Sequence, residues 1–142
     1  GRPRRVMDMQ TRIAEIVREI FARGWGEGDF SGLAAALGAP FTFHVRGTSA
    51  EMDLGALIGI VAGWRDGFPD LRFEIEDLVA ADDVVAVRAR LVGTHLGRWG
   101  DHEPTGRHID VDHMFFLRFD DDRLVDVYEM LDQDALRRQI ST

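Results

Sequence analysis

Apolar positions change their period once along this chain, and the change separates a helical part from a strand part. Ile13, Ile16, Val17, Ile20 and Phe21 recur at helical spacing and predict a helix over residues 8–23, ended by Gly24, Gly26 and Gly28. A short helical piece follows around Leu33 to Leu37, and Pro40 stops it. Phe41 to Val45 reads as a short strand. Asp53 is placed to cap a further helix whose apolar stripe is Leu54, Leu57, Ile58, Val61 and Trp64. Asp66-Gly67-Phe68-Pro69-Asp70 then turns the chain.

Beyond that turn the period is two. Leu71, Phe73 and Ile75 alternate with Arg72, Glu74 and Glu76, and Asp82-Asp83 leads into a long strand from Val84 to Leu96. A glycine-rich connection with Trp99, Gly100, Pro104 and Gly106 precedes a third strand, from about Arg107 to Phe119. Asp120 to Asp122 turn, Leu124 to Leu131 return as a fourth strand, and residues 133–140 form a short terminal helix or tail. Helices followed by an antiparallel meander predict an α+β fold with helices covering one face of the sheet. The 142 residues contain no repeat and no linker, so one domain over residues 9–140 is expected behind a flexible tail of residues 1–8.

Polar residues that interrupt apolar strand rows mark candidate chemistry, because an ionisable group on an inward face is costly without a partner or a cavity. His113 is the only polar member of the row Ile109, Val111, His113, Phe115, Leu117, Phe119. It either makes a structural hydrogen bond or looks into a pocket. His95 shares a side with Val85, Val87, Ala89, Leu91 and Gly93, and antiparallel pairing would bring the two imidazoles toward each other unless a bulge intervenes. On the last strand Asp126, Tyr128, Met130 and Asp132 share a side. A carboxylate among apolar neighbours can take a proton from a carbon acid or return one to an alkoxide. Asp132 is the preferred acid/base, against a reading as the N-cap of the following helix, and Asp126 is the fallback. Trp64, Trp99, Phe43, Phe115, Tyr128 and Met130 are the candidate walls of a substrate site, with Trp25 able to serve or simply to pack. His44 falls on the side of its strand opposite Phe41, Phe43 and Val45, which suits an exposed histidine.

Charge and composition narrow the partners. The 25 acidic against 17 basic side chains give a formal charge of -8, which disfavours a nucleic-acid partner, and Arg2, Arg4 and Arg5 read as a solvated tail. Without cysteine there is no disulfide or thiol chemistry, which suits a cytoplasmic protein. No apolar run approaches the roughly 20 residues of a membrane span. His108, Asp110 and Asp112 alternate on one strand face but match no compact metal signature, so they read as a solvated face and no metal is expected. No glycine-rich nucleotide motif is present, and no cofactor is implied.

Four segments carry a family likeness. Phe68-Pro69-Asp70-Leu71, Gly93-Thr94-His95-Leu96-Gly97 and Pro104-Thr105-Gly106-Arg107 are followed by Arg118-Phe119 and the run from Asp120 to Asp132. In this order and spacing the chain resembles the SnoaL-like polyketide cyclases of the nuclear-transport-factor-2-like superfamily. That resemblance implies a cone-shaped α+β barrel, its strongly curved antiparallel sheet wrapped around N-terminal helices and enclosing an apolar pocket. It implies cofactor-free intramolecular aldol condensation of an aromatic polyketide, with Asp132 as the carboxylate and His95 or His113 as the pocket histidine. His95 matches the Gly-Thr-His-x-Gly pattern, whereas His113 rests on its strand face. The implied partners are a hydrophobic polycyclic or aromatic small molecule and further copies of the chain, as a dimer or tetramer. Two departures stand out: Asp120-Asp121-Asp122 replaces an acidic residue followed by glycine, and Tyr128 replaces a tryptophan. Related folds isomerise, dehydrate or hydrolyse epoxides, and some only bind small molecules, so these remain alternatives.

Overall fold

The computed structural model describes residues 2–45 and 47–141, with side chains from residue 8 onward outside position 46. Arg2, Arg4 and Arg5 therefore lie outside the described side chains. The helical period is realised as α1 (Arg2–Glu19), continued by a π-helical turn (Ile20–Trp25). Widening the helix there lets Phe21 and Trp25 both turn inward, where each is buried. Gly24 does not end the helix as expected. A Cβ on it would stand 2.6 Å from the Phe30 ring, so glycine there allows a close approach.

The remaining elements are α2 (Ala34–Leu37), β1 (Phe41–Val45), β2 (Thr48–Met52), α3 (Leu54–Gly67), β3 (Arg72–Ala81), β4 (Val84–Thr94), β5 (His108–Asp120), β6 (Arg123–Leu131) and α4 (Gln133–Ser141). Asp53 caps α3 as its position predicted, accepting from Ala56 N–H at 2.8 Å. Strand β2 is absent from the sequence expectation. It is a mostly exposed edge strand without apolar alternation, reached through Gly47 at φ +78°.

The sheet corrects the expected architecture. Its order is β2-β1-β6-β5-β4-β3, open at both ends, and β1 runs parallel to β6. It is mixed rather than antiparallel, and it is neither closed into a cone-shaped barrel nor strongly curved. Closure would require β2 to pair with β3, but these are the two outer edges. Apolar alternation marks the buried face of a regular strand such as β5; it does not specify the strand tilt and stagger that closure needs.

The core is one cluster. Ile13, Val17, Phe21 and Trp25 pack with Leu57 and Val61 against the buried rows of β4 (Val85, Val87, Ala89, Leu91) and β5 (Ile109, Val111, Phe115, Leu117, Phe119). The buried aliphatic and aromatic side chains each contribute about 1.5–3 kcal/mol of hydrophobic stabilisation relative to exposure. No helix among the described residues is long and apolar enough to cross a membrane.

Candidate active site

The β5 row reads as its alternation predicted: every second residue from Ile109 to Phe119 is buried, and His113 at 2% exposure is its single polar member. Register places His113 opposite Ala89 on β4 and opposite Leu131 on β6. Its ring lies 4.2 Å from that of Phe115 and 5.3 Å from that of Phe73. An imidazole in such surroundings needs a hydrogen-bonding partner.

Strand β6 supplies one that the sequence reading missed. Leu124 and Val127 are both buried although three residues apart, because the β5–β6 register shifts between Arg118 and Phe119. The irregularity reverses parity for the rest of the strand. Glu129, not Tyr128 or Met130, then shares the inner side with Val127 and Leu131. It lies between Val45 of β1 and Phe115 of β5, and its Oε2 is 3.0 Å from His113 Nε2. A carboxylate oxygen accepts, so Nε2 carries a hydrogen in this pair, and in the neutral tautomer the lone pair is on Nδ1. That Nδ1 is buried with no partner among the described residues.

The pair borders a cavity of about 260 Å³ lined also by Trp25, Phe43, Val45, Met52, Leu57, Ile60 and Trp64. Phe43 and Trp64, two of the expected walls, therefore stand with His113. Phe115 packs beside His113 with its ring tilted 30° from the imidazole, but faces a smaller apolar void under the π-helical turn and α3. The chemistry available is that of one carboxylate oriented by one imidazole among apolar walls, which suits proton transfer to and from a planar organic molecule.

His95 is equally buried, at 0% exposure, but elsewhere. It follows β4 six residues after Ala89, about 20 Å along the strand from His113, so the two imidazoles are not brought together. Thr105 N–H donates to its Nδ1 at 3.3 Å, and Thr105 Oγ1 is 3.0 Å away. The backbone closes around it, His95 N–H to Arg107 O and Gly106 N–H to His95 O, both at 2.8 Å. Its ring stacks on Phe68, and its Nε2 is buried without a partner among the described residues. Burial above all, with the charge of His102 second, lowers its pKa from the ordinary histidine value.

The Phe68-Pro69-Asp70 turn is tied to the same place. Asp70 accepts from Thr94 N–H and Thr94 Oγ1–H, both at 2.7 Å. Partial burial works against its carboxylate, but the Thr94 hydrogen bonds outweigh it and hold the pKa below the ordinary value.

The other expected site residues are dispersed. Asp132 is exposed, and its Oδ1 accepts from Ala135 N–H at 3.0 Å, the geometry of an N-cap for α4. Tyr128 (41% exposed) and Met130 (66% exposed) lie on the outer face of the sheet with Met114 and Phe116. Asp126 also points outward, 2.9 Å from His44 Nε2. Trp99 backs Trp64 at 5.1 Å from outside the cavity and packs over Gly67. Asp110 is paired with Arg90 on the outer face, and no group of three or more metal-ligating side chains occurs among the described residues.

A model of the SnoaL-like polyketide cyclase family matches residues 15–140. A proposed SnoaL-like polyketide cyclase from Jannaschia sp. CCS1 superposes with a TM-score of 0.82 at 25% identity, covering 93% of each chain. A proposed polyketide cyclase from Acidithiobacillus ferrooxidans does so with a TM-score of 0.82 at 24% identity, covering 92% of this chain and 94% of that one. AclR of Streptomyces galilaeus, a proposed hydroxylase, has a TM-score of 0.76 at 22% identity over 96% and 97% of the two chains. Among curated proteins no match is found. Because the matched segment runs from within α1 to the end of the core and takes in His95, His113 and Glu129 together, the chain belongs to the SnoaL-like polyketide cyclase family of the nuclear-transport-factor-2-like superfamily.

Proposed function

We propose that the protein closes a ring of an aromatic polyketide by cofactor-free intramolecular aldol condensation in the cavity beside His113. The observation that supports this reading most is the buried His113–Glu129 pair opening onto aromatic walls. In this mechanism Glu129 takes a proton from the carbon beside a substrate carbonyl. The enolate attacks a second carbonyl of the same molecule, a carbon–carbon bond forms, and the new alkoxide takes the proton back from Glu129. Proton and electrons balance without a further reactant.

His113 orients the carboxylate through Nε2–H. Trp25, Phe43 and Trp64 pack against planar rings and hold the reacting carbons close, where restricted freedom lowers the barrier. Asp132 and His95, the expected acid/base and one of two expected histidines, have no part in this mechanism, since one carboxylate caps α4 and one imidazole is enclosed by its own loop.

Glu129→Gln tests the assignment, because it keeps size and the ability to accept from His113 while removing the base. Ring closure of an anthraquinone-type keto ester, followed chromatographically under initial-rate conditions, is expected to fall by about 10²–10⁴-fold with the melting temperature little changed. Turnover within threefold of the unsubstituted protein overturns it.

A further inference from the structure

The cavity beside His113 has a deep end and an open end, and the exposure of its lining residues tells them apart. Trp25, Leu57 and His113 are buried and mark the deep end. Phe43, Val45, Met52, Trp64 and Glu129 are half-buried. Ile60, at 41%, is the most exposed residue of the lining, so it stands at the rim. Helix α3 brings it there: Leu57, Ile60 and Trp64 are three and four residues apart and share one helix face.

On this side the rim is stiff. A β-branched side chain in a helix keeps essentially one χ1 rotamer, so Ile60 has little freedom to swing aside. Its helix is fastened at both ends. Asp53 caps the first turn, and Arg65 donates to Trp25 O at 3.1 Å and to Gly26 O at 2.7 Å. The hairpin of β1 and β2 supplies Val45 and Met52 to the same cavity, and the unbranched Met52 can yield to a ligand where Ile60 cannot. At about 260 Å³ the cavity lies just below the range of about 300–1,000 Å³ usual for small-molecule sites. Part of a polycyclic molecule therefore reaches out through the open end, past Ile60.

Building on the ring-closing reading of this cavity, we propose that Ile60 is its specificity-determining residue. It passes flat aromatic rings and holds back a molecule that carries a branched, non-planar substituent on the ring at the rim. The substrate class is thus a planar aromatic polyketide whose end remote from Glu129 bears no bulky tetrahedral group. A second exposed isoleucine on the same helix provides the control. Ile58, at 44%, faces the other flank of α3 with Phe30 and Arg65 and does not line this cavity.

The test is equilibrium binding of anthraquinone, 2-methylanthraquinone and 2-tert-butylanthraquinone, read as quenching of tryptophan fluorescence, since Trp25 and Trp64 line the cavity. The tert-butyl compound should bind at least about 10-fold more weakly than the methyl compound, the scale on which an apolar pocket resists added bulk. In Ile60→Ala the two should come within threefold, in Ile58→Ala the gap should persist, and in Ile60→Phe even anthraquinone should bind more weakly. Should Ile60→Ala fail to fold, Ile60→Val is expected to narrow the gap in the same direction. No gap in the unsubstituted protein, an equal gap in the folded Ile60 variants, an equal relaxation in Ile58→Ala, or no quenching by any of the three overturns the proposal. Binding is read in place of turnover, so the two readings fail separately. Selectivity through Ile60 without ring closure would end the aldol reading alone, and ring closure with binding indifferent to Ile60 would end this one alone.

Discussion

His113 and His95 are both buried on the inner side of the sheet, and each keeps one ring nitrogen without a partner among the described residues. Their surroundings give them opposite parts. His113 donates to a carboxylate, and the pair borders a cavity of about 260 Å³, so open space adjoins its paired nitrogen's partner. His95 accepts from Thr105, is packed against Phe68, and is enclosed by the loop it fastens, so its orphan nitrogen is an N–H shut inside protein. A buried imidazole is thus no sign of a site by itself. What its paired nitrogen touches, and whether open space adjoins it, separates a catalytic candidate from a clasp.

The comparison breaks most visibly at Phe68. This ring is fully buried, stacks on His95, and packs with Trp64 and Trp99. Phe68→Ala should cost about 3–5 kcal/mol of stability, measured by urea denaturation, because the loop cannot collapse into the space left. A loss under about 1 kcal/mol would mean that the His95 region is not the tightly packed clasp described.

Acid sharpens the same contrast. The folded pKa of His95 lies below its unfolded value of 6.5, so between the two the unfolded chain binds a proton that the folded protein does not. Stability from this group is fully present above about pH 6.5 and is lost as pH falls, at up to about 1.4 kcal/mol per pH unit. Denaturation midpoints from pH 7 to 5 should therefore fall more steeply for the unsubstituted protein than for His95→Gln, which cannot titrate there. Equal slopes would remove His95 as the acid-sensitive point.

The strand rows show how far the sequence alone reached. Period two on β5 placed His113 on the inner face, and the Phe68–Leu71 and Gly93–Gly97 segments, read only as carriers of the family likeness, meet where Asp70 binds Thr94. The same rule failed on β6. Counting by twos from Leu124 puts Asp126, Tyr128 and Met130 inside, and a single irregularity near Asp126 reverses all three and brings in Glu129 instead. One signal was available: Val127, Glu129 and Leu131 form an apolar row with one carboxylate, the pattern that singled out His113. Strand β2 and the parallel β1–β6 pairing left no such trace, because Thr48 to Glu51 are exposed and carry no alternation. Open or closed sheet is a matter of strand tilt and stagger, which residue type does not encode.

The smallest expected effect divides the two carboxylates that compete for the acid/base part. Asp132 Oδ1 satisfies the Ala135 N–H in the first turn of α4, whose Leu136 and Ile140 are buried. Asp132→Ala leaves that donor to water and removes a negative charge from a helix N-terminus. It should cost about 1 kcal/mol, read as a lower denaturation midpoint with an unchanged urea dependence. Ring-closing turnover should stay within a few-fold of the unsubstituted protein, since Asp132 is exposed and does not line the cavity beside His113. Glu129→Gln should do the reverse, keeping the midpoint and losing the rate. Were Asp132→Ala to abolish turnover at full stability while Glu129→Gln kept it, the carboxylate at the helix cap would be the acid/base, and the His113–Glu129 pair would be a buried structural contact like the one that holds His95.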